Sequence, residues 1–399
     1  MAEGNKKKEN LRTYEDFNYM SHMLFKSLGF DILDTTAPKW PYIILQGYFI
    51  LCIVSNFYAA FYVTLRFLQW EHSESKLMRH ALHFFYMFSA EVKFAAFVKY
   101  RKRLRSLNDQ LKDLYPVDAK QQEDYEVNRY YLSRTTRFVL SFYYLVMALM
   151  MVTPLLQSCI AHFVVKKDFP YLRIFPTQLS FRSDTPWGYV FAYFVDFTYS
   201  HFIVNFTLGT DLWMICASSQ ICMHFGHLAK VLAAYTPQRE REEEDCAFLS
   251  RFVKRHQHIL NLHDEVDQIF GLLLASNLFT TASLLCCIAF YTVVEGFNME
   301  GMSYMTVFFS VVGLFYMVSS HGQNLIDFST SIAVAGYNQR WYEGSVRYRK
   351  LIMLIMAKAQ RPSEISASRV VIISFDTFKT LMTITYRFFA VLRQSMGKN

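Results

Sequence analysis

Residues 268–294 read QIFGLLLASNLFTTASLLCCIAFYTVV and contain no charged side chain. At a rise of about 1.5 Å per residue, a helix of this length reaches about 40 Å, which exceeds the roughly 30 Å thickness of a bilayer's hydrocarbon core. Three more uncharged runs of similar length cover residues 42–65, 138–165 and 301–326. These four runs predict four membrane-spanning helices.

Three further apolar stretches carry isolated charges, and we interpret them as spans too. They cover residues 77–99, 187–218 and 370–393. A charged side chain that faces lipid costs several kcal/mol, so these charges should face protein or a water-filled cavity. The charges concerned are Glu91, Lys93, Asp196, Asp211, Asp376, Lys379 and Arg387. The sequence therefore predicts seven spans, numbered here 1 to 7 along the chain.

The composition agrees with a helical membrane protein. Hydrophobic residues make up 53% and aromatic residues 17% of the 399 residues, which excludes a disordered chain, a collagen-like repeat and a small disulfide scaffold. The mean hydropathy is only +0.13, so long polar segments must separate the spans. The net charge of +8 follows from a bias toward one side of the membrane and gives no reason to expect a nucleic-acid partner.

Lys and Arg are unevenly distributed between the two sides. One side holds 27 of them, in residues 1–39, 100–135, 223–265 and 336–369. The other side holds 6, in residues 69–76, 165–186, 296–300 and the tail after residue 393. Because cytoplasmic loops carry the excess of Lys and Arg, we expect a cytoplasmic amino terminus and an outer carboxyl terminus.

Two inner segments have helical periodicity. Apolar residues recur every three or four positions after the acidic run 240–245, so span 5 should begin well inside the cytoplasm. Residues 340–358 form a basic amphipathic pattern that ends at Pro362, and the last helix should start again at about residue 365. The resulting regions are a cytoplasmic segment (1–39), spans 1–4 (40–222), a cytoplasmic helical segment (223–265), spans 5 and 6 (266–335), a cytoplasmic helix (336–364) and the last crossing helix with its tail (365–399).

One face of the last span is too polar for lipid. At 100° per residue, five side chains lie on one stripe of a helix, each within about 40° of its centre line, with Gln394 and Ser395 at the outer end. The five are Ile373, Thr377, Thr380, Ile384 and Val391. One interpretation is ordinary helix packing through threonine. The other is a pore lined by symmetry-related copies of this helix, with Val391 as an apolar gate and Gln394 as a polar ring.

Enzyme motifs are missing from the sequence. The His80/His83 pair and the group from His256 to His263 fall on opposite sides by the charge distribution, so they cannot converge on one metal. No GxSxG, phosphate-binding glycine loop or HExxH occurs. We therefore predict no enzymatic activity, no metal and no cofactor. A metabotropic receptor that acts through G proteins stays an alternative, although the inverted orientation and the lack of Asn-Pro-x-x-Tyr argue against it.

The end of the chain resembles the carboxyl-terminal signature of the insect odorant receptors. The residues concerned are His321 to Leu325, Tyr337 to Trp341 and Thr385 to Gln394. The resemblance implies an all-α, polytopic membrane protein whose split seventh helix lines the central pore of a tetramer. It also implies an odorant-gated, non-selective cation channel assembled with the obligate co-receptor (Orco), in the plasma membrane of olfactory sensory neurons among membrane lipids. A gustatory-type receptor of the same superfamily is the nearest alternative.

Positions in the pore follow from the same resemblance. Val391 matches the family's hydrophobic gate and Gln394 its neighbouring polar position, with Thr380, Ile384 and Arg387 along the same helix. Arg387 and Arg393 depart from a cation pore, because four copies of each would oppose cation flow. The sequence therefore favours a tuning subunit that works beside co-receptor subunits.

The family would place a small volatile odorant among the outer halves of spans 2, 3, 4 and 6. Aromatic and methionine side chains there suit recognition through dispersion contacts. The candidates are Phe84, Met87, Tyr143, Met147, Met151, Tyr189, Tyr193, Phe197, Tyr304, Phe308 and Phe309. Each of them alone could instead serve helix packing.

Overall fold

The computed structural model is almost entirely helical, which confirms the predicted all-α class. The residues it describes are 11–28, part of 43–65, 74–131, 134–164, 166, 168–175, 185–295 and 299–396. The predicted cytoplasmic segment 1–39, the outer segments and the tail after residue 393 therefore lie partly outside the described residues.

The described helices follow the chain in the following order. They are α1 (Tyr14–Ser27), α2 (Glu74–Leu114), α3 (Ala119–Asp124), α4 (Val127–Tyr130), α5 (Arg134–Phe163), α6 (Pro186–Ala234), α7 (Glu242–Glu295), α8 (Met299–Asn338), α9 (Val346–Ala359) and α10 (Phe375–Met396). Two short strands, β1 (Ser366–Ala367) and β2 (Val371–Ile372), pair antiparallel. Spans 2, 4, 5 and 6 fall within α2, α6, α7 and α8, most of span 3 lies in α5, and span 7 lies in α10 from residue 375 onward. The described positions of span 1, which are 43, 44, 47, 48, 50–55, 57, 58, 61 and 65, are all helical.

Four helices of the described chain are long and apolar enough to cross a membrane, judged by length and composition. They contain the stretches His80–Leu114, Arg137–Phe163, Arg239–Val294 and Gly301–Asn338. These stretches coincide with spans 2, 3, 5 and 6.

The charges within spans 2 and 4 face protein, as predicted. Lys93 is completely buried, and its Nζ lies 2.8 and 2.9 Å from the two carboxylate oxygens of Asp211. Asn277 Nδ2 donates to the same carboxylate at 2.9 Å. Glu91 accepts a hydrogen bond of 3.0 Å from the hydroxyl of Tyr199. Spans 2, 4 and 5 are thereby joined by polar contacts inside the bundle.

The amino-terminal helix α1 is part of the bundle. Phe17 and Phe25 are buried, and Ser21 Oγ donates to the carbonyl oxygen of Gly209 on α6 at 2.9 Å. A Cβ on Gly209 would lie 3.2 Å from the Phe25 ring, so the glycine lets α1 approach α6 closely. The polar composition of residues 1–39 did not indicate this packing.

Of two predicted helix boundaries, one agrees with the structure and one differs from it. Helix α7 begins at Glu242, which confirms that the helix of span 5 starts well before the uncharged run at residue 268. The last helix, however, begins at Phe375 and not at about residue 365, because the β1–β2 hairpin occupies the intervening residues. Backbone and side-chain donors of Ser366 bind Asp267 Oδ1 of α7 at 2.7 and 2.9 Å and fix this hairpin. Ile373 therefore precedes α10 and is buried, so it does not belong to the exposed stripe.

Candidate ligand site and pore face

A cavity of about 190 Å³, called here the outer cavity, lies among α2, α5, α6, α7 and α8. Its walls are Leu82, His83, Tyr86, Met147, Met150, Met151, Thr153, Pro154, Gln157, Arg173, Ile174, Phe175, Ser200, Val204, Leu284, Ser303, Tyr304 and Val307. Mostly apolar walls with a few polar groups are typical of small-molecule sites. The volume suits a small compound.

The segment 171–175, between α5 and α6, closes one side of the outer cavity. Arg173 binds Asp196 through two hydrogen bonds, Nη2 to Oδ1 at 2.7 Å and Nε to Oδ2 at 3.1 Å, and both side chains are almost fully buried. The hydroxyl of Tyr189 donates to the carbonyl oxygen of Leu172 at 2.7 Å, and the amide of Leu172 donates to Ser158 Oγ at 3.1 Å. A bidentate pair supplies geometric precision as well as energy, so this segment is a fixed wall.

Three predicted ligand residues line the outer cavity: Met147, Met151 and Tyr304. Four others are packed in its surroundings. The Tyr143 and Tyr86 hydroxyls lie 2.8 Å apart, Tyr193 donates to the carbonyl oxygen of Met151, Tyr189 holds segment 171–175, and Met87 is buried. The three tyrosines therefore position groups that form the wall.

The remaining four candidates contact other parts of the bundle or its outside. Phe84 packs against Phe57, Phe85 and Phe88, and Phe308 joins a small apolar cluster around Phe315. Phe197 and Phe309 are 46% and 61% exposed. The candidates were selected by depth in the membrane, and depth does not specify which helix face points inward.

Ser200 is a polar wall residue that the sequence did not indicate. Its hydroxyl is buried and has no hydrogen-bond partner among the described residues. Buried polar atoms normally have a partner, so this hydroxyl is available to a bound molecule. A serine within an apolar span gives no sequence signal that separates this position from ordinary helix packing.

The predicted pore residues share one face of α10. Thr380, Ile384, Arg387, Val391 and Gln394 are all exposed in the single chain. The opposite face carries Phe378, Leu381 and Met382, which pack against Leu285 of α7 and Phe315 of α8. The exposed face, with an arginine and an amide, is unsuited to lipid.

The carboxyl ends of α6 and α8 and the amino ends of α7 and α9 pack together through aromatic side chains. The rings of Tyr235 and Phe248 stack with centroids 3.7 Å apart, and the Tyr235 hydroxyl donates to Asp245 at 2.6 Å. Tyr348 of α9 donates to Gln339 at 2.7 Å. Burial raises the pKa of Tyr235 to about 12, so its hydroxyl is protonated at neutral pH and can act as the donor to Asp245.

The model of the 7tm odorant receptor family matches residues 75–386. The chain belongs to this family. Odorant receptor 49a of Drosophila melanogaster is 58% identical over 98% of this chain and 100% of its own length. Odorant receptor 85f of the same organism is 29% identical over 96% of this chain and 98% of its own length.

A solved structure has the same fold. The insect olfactory receptor OR5 from Machilis hrabei, in complex with eugenol, superposes with a TM-score of 0.76 over 95% of this chain and 97% of that chain, at 14% sequence identity. This odorant receptor is therefore a multi-pass membrane protein, from a family of receptors and not of enzymes.

Proposed function

We propose that this odorant receptor is the tuning subunit of an odorant-gated, non-selective cation channel. In this proposal it forms a heterotetramer with the co-receptor (Orco) in the plasma membrane of olfactory sensory neurons. Its amino terminus is cytoplasmic, seven helices cross the membrane, and α10 lines a central pore. The observation that carries the proposal is the exposed, partly polar face of α10.

The two faces of α10 support a pore. Phe378 and Leu381 pack against α7 and α8, while Thr380, Arg387 and Gln394 lie on the face that no described residue covers. Polar side chains at membrane depth are stable next to water or other protein. A symmetric assembly around this face supplies both, because it encloses water between copies of the helix.

The position of Val391 suits a gate. Its side chain is 65% exposed on the same face, and an apolar ring in a narrow pore blocks ions by excluding water. Arg387 is also exposed on α10, and four arginines around one axis would repel cations. Co-receptor subunits in the same ring reduce that repulsion, which favours a heterotetramer.

The outer cavity is the proposed odorant site. Met147, Met151 and Tyr304 offer polarisable surface, and the Ser200 hydroxyl offers one hydrogen bond. We therefore expect a small, mostly apolar volatile with few polar groups. The eugenol complex of the Machilis receptor supports a ligand of this size class in the same fold.

Co-expression tests the channel assignment. Cells that contain this chain and the co-receptor should give a cation current when exposed to a panel of volatiles, and cells with either protein alone should give no current to the same volatile. A current from this chain alone would favour a gustatory-type homotetramer. A response that requires G proteins would favour a metabotropic receptor.

Replacement of the gate residue tests the pore assignment. Val391→Ala should raise the resting conductance of the co-expressed channel, because a smaller apolar ring admits water more easily. Leu392→Ala is the matched control, since it removes a side chain of similar size from a half-buried position about 100° away. Equal resting currents in Val391→Ala and in the unmodified channel would remove Val391 from the gate.

A further inference from the structure

A second cavity, called here the inner cavity, has a volume of about 620 Å³ and lies toward the other end of the bundle. It touches α8 from Tyr316 to Ser331, whereas the outer cavity ends on α8 at Val307. These two residues are nine positions apart along the helix, or about 13.5 Å. The inner cavity is therefore a separate site, and the proposed odorant site does not account for it.

One polar stripe of α8 faces the inner cavity. Ser320, Asn324, Asp327 and Ser331 follow one another at intervals of three or four residues, and all of them line it. Such intervals place side chains on one face of a helix. A polar stripe with a carboxylate at the end of a membrane span indicates a water-filled site and not a lipid contact.

Asp327 provides a negative charge without a cationic partner. Its Oδ1 accepts a hydrogen bond of 2.9 Å from Gln323, and among the residues that the structure describes no Lys, Arg or His forms an ion pair with it. Arg129, the arginine in the wall, binds Glu126 with Nη1 3.1 Å from Oε2, and Glu126 also binds Lys230. The Asp327 side chain is exposed, so its carboxylate is accessible to a bound cation.

Aromatic rings form much of the remaining wall. Tyr130, Tyr131, Tyr316 and Phe328 line the cavity, and the rings of Tyr130 and Phe328 lie 5.2 Å apart. A Cβ on Gly226 of α6 would collide with the Tyr130 hydroxyl, so glycine at this position makes room for the ring. Aromatic faces attract cations, and Phe328 already accepts the Arg129 guanidinium at 5.4 Å from its centroid.

We propose that the inner cavity binds an organic ammonium group, with Asp327 as its counter-charge and Tyr130, Tyr316 and Phe328 as its aromatic wall. A divalent metal ion fits less well, because it needs several oxygen ligands at about 2.0–2.6 Å and the cavity wall has one carboxylate. The volume also lies in the range of sites for organic molecules, about 300–1,000 Å³. The ammonium group can belong to a lipid headgroup or to a soluble amine.

Choline binding to the purified full-length chain in detergent tests the proposal. We expect choline to bind the unmodified chain and to bind Asp327→Asn at least about 10-fold more weakly, since the variant keeps the shape and removes the charge. Asp113→Asn is the matched control, because Asp113 is an exposed carboxylate on α2 outside the cavity. Phe328→Leu should also weaken binding, and it gives a second readout if Asp327→Asn does not fold.

Reconstitution distinguishes the two sources of ammonium. If choline binds equally in nanodiscs of phosphatidylglycerol with and without phosphatidylethanolamine, the ligand is a soluble amine. If phosphatidylethanolamine suppresses choline binding and stays with the purified chain in native mass spectrometry, the ligand is a lipid headgroup. The proposal is overturned if choline binds Asp327→Asn as well as the unmodified chain, if neither choline nor phosphatidylethanolamine binds, or if inorganic phosphate binds in place of choline.

Discussion

The outer and inner cavities lie along the same three helices, α5, α6 and α8, and differ in chemistry. On α6, Ser200 and Val204 line the outer cavity, and Ser219 and Cys222 line the inner one. The outer cavity is small and walled by Met, Leu and Val, whereas the inner cavity is about three times larger and has a polar stripe with a carboxylate. One helix thus serves two different sites, and its residues at each depth decide which compound can bind.

The Lys93–Asp211 pair lies between the two cavities. Asp211 is on α6 between Val204 and Ser219, and Asn277 of α7 completes the contact. Buried polar groups joined across three helices fix the distance between those helices. We regard this pair as the contact that separates the mostly apolar outer cavity from the more polar inner cavity.

The largest effect on stability should come from breaking the Lys93–Asp211 ion pair. Lys93→Met leaves the Asp211 carboxylate buried without its cation, which costs about 3–5 kcal/mol of folding free energy. The unfolding temperature of the purified chain should fall sharply. The double variant Lys93→Met/Asp211→Leu should recover most of the loss, because a well-packed apolar pair can replace a buried ion pair. An unchanged unfolding temperature in Lys93→Met would show that the ion pair does not stabilise this part of the bundle.

A smaller effect is expected where α8 meets the start of α10. A Cβ on Gly322 would collide with the Ile373 carbonyl oxygen, so Gly322→Ala should destabilise the chain by about 1–3 kcal/mol and lower its unfolding temperature. Gly313→Ala on the same helix is the control, since its Cβ would meet Val139 at an ordinary 3.6 Å. If both variants unfold at the same temperature, this close approach has no energetic role.

The smallest effect concerns the wall of the outer cavity. Tyr304→Leu removes an aromatic surface and should raise the odorant concentration for half-maximal current by about 2- to 10-fold, in keeping with about 0.5–1.5 kcal/mol per aromatic contact. Phe309→Leu, five residues along α8 and 61% exposed, should leave that concentration unchanged. A larger shift in Phe309→Leu than in Tyr304→Leu would move the odorant site away from the outer cavity.

The sequence predicted those features that depend on periodicity and charge. The all-α class, the start of α7 well before its uncharged run and the inward direction of Lys93 and Asp211 follow from apolar runs and from the cost of charge in lipid. The family resemblance rested on residues 321–394 and agrees with the family match over residues 75–386. These are local or energetic properties, and a single sequence contains them.

Features that depend on tertiary contacts could not be predicted. The β1–β2 hairpin exists because Asp267 binds Ser366 across 99 positions of sequence, and no local pattern reports such a pairing. Arg173 lines the outer cavity because Asp196 fixes it there, whereas the sequence indicated only a loop for this segment. Candidates such as Phe197 and Phe309 do not line the cavity, because a small rotation of a helix decides which of its side chains face inward and the sequence does not specify that rotation.

The length of α7 has a mechanical consequence. Its 54 residues extend for about 80 Å as one helix, which carries Leu284 in the outer cavity wall and Phe248 in the aromatic packing near its amino end. A rigid rod of that length acts as a lever, so a tilt of about 2° displaces one end relative to the other by about 3 Å, comparable to the helix shifts that switch subunit interfaces. A small tilt of α7 at the outer cavity can therefore move the far end of the helix by several ångströms, without a relay of side chains.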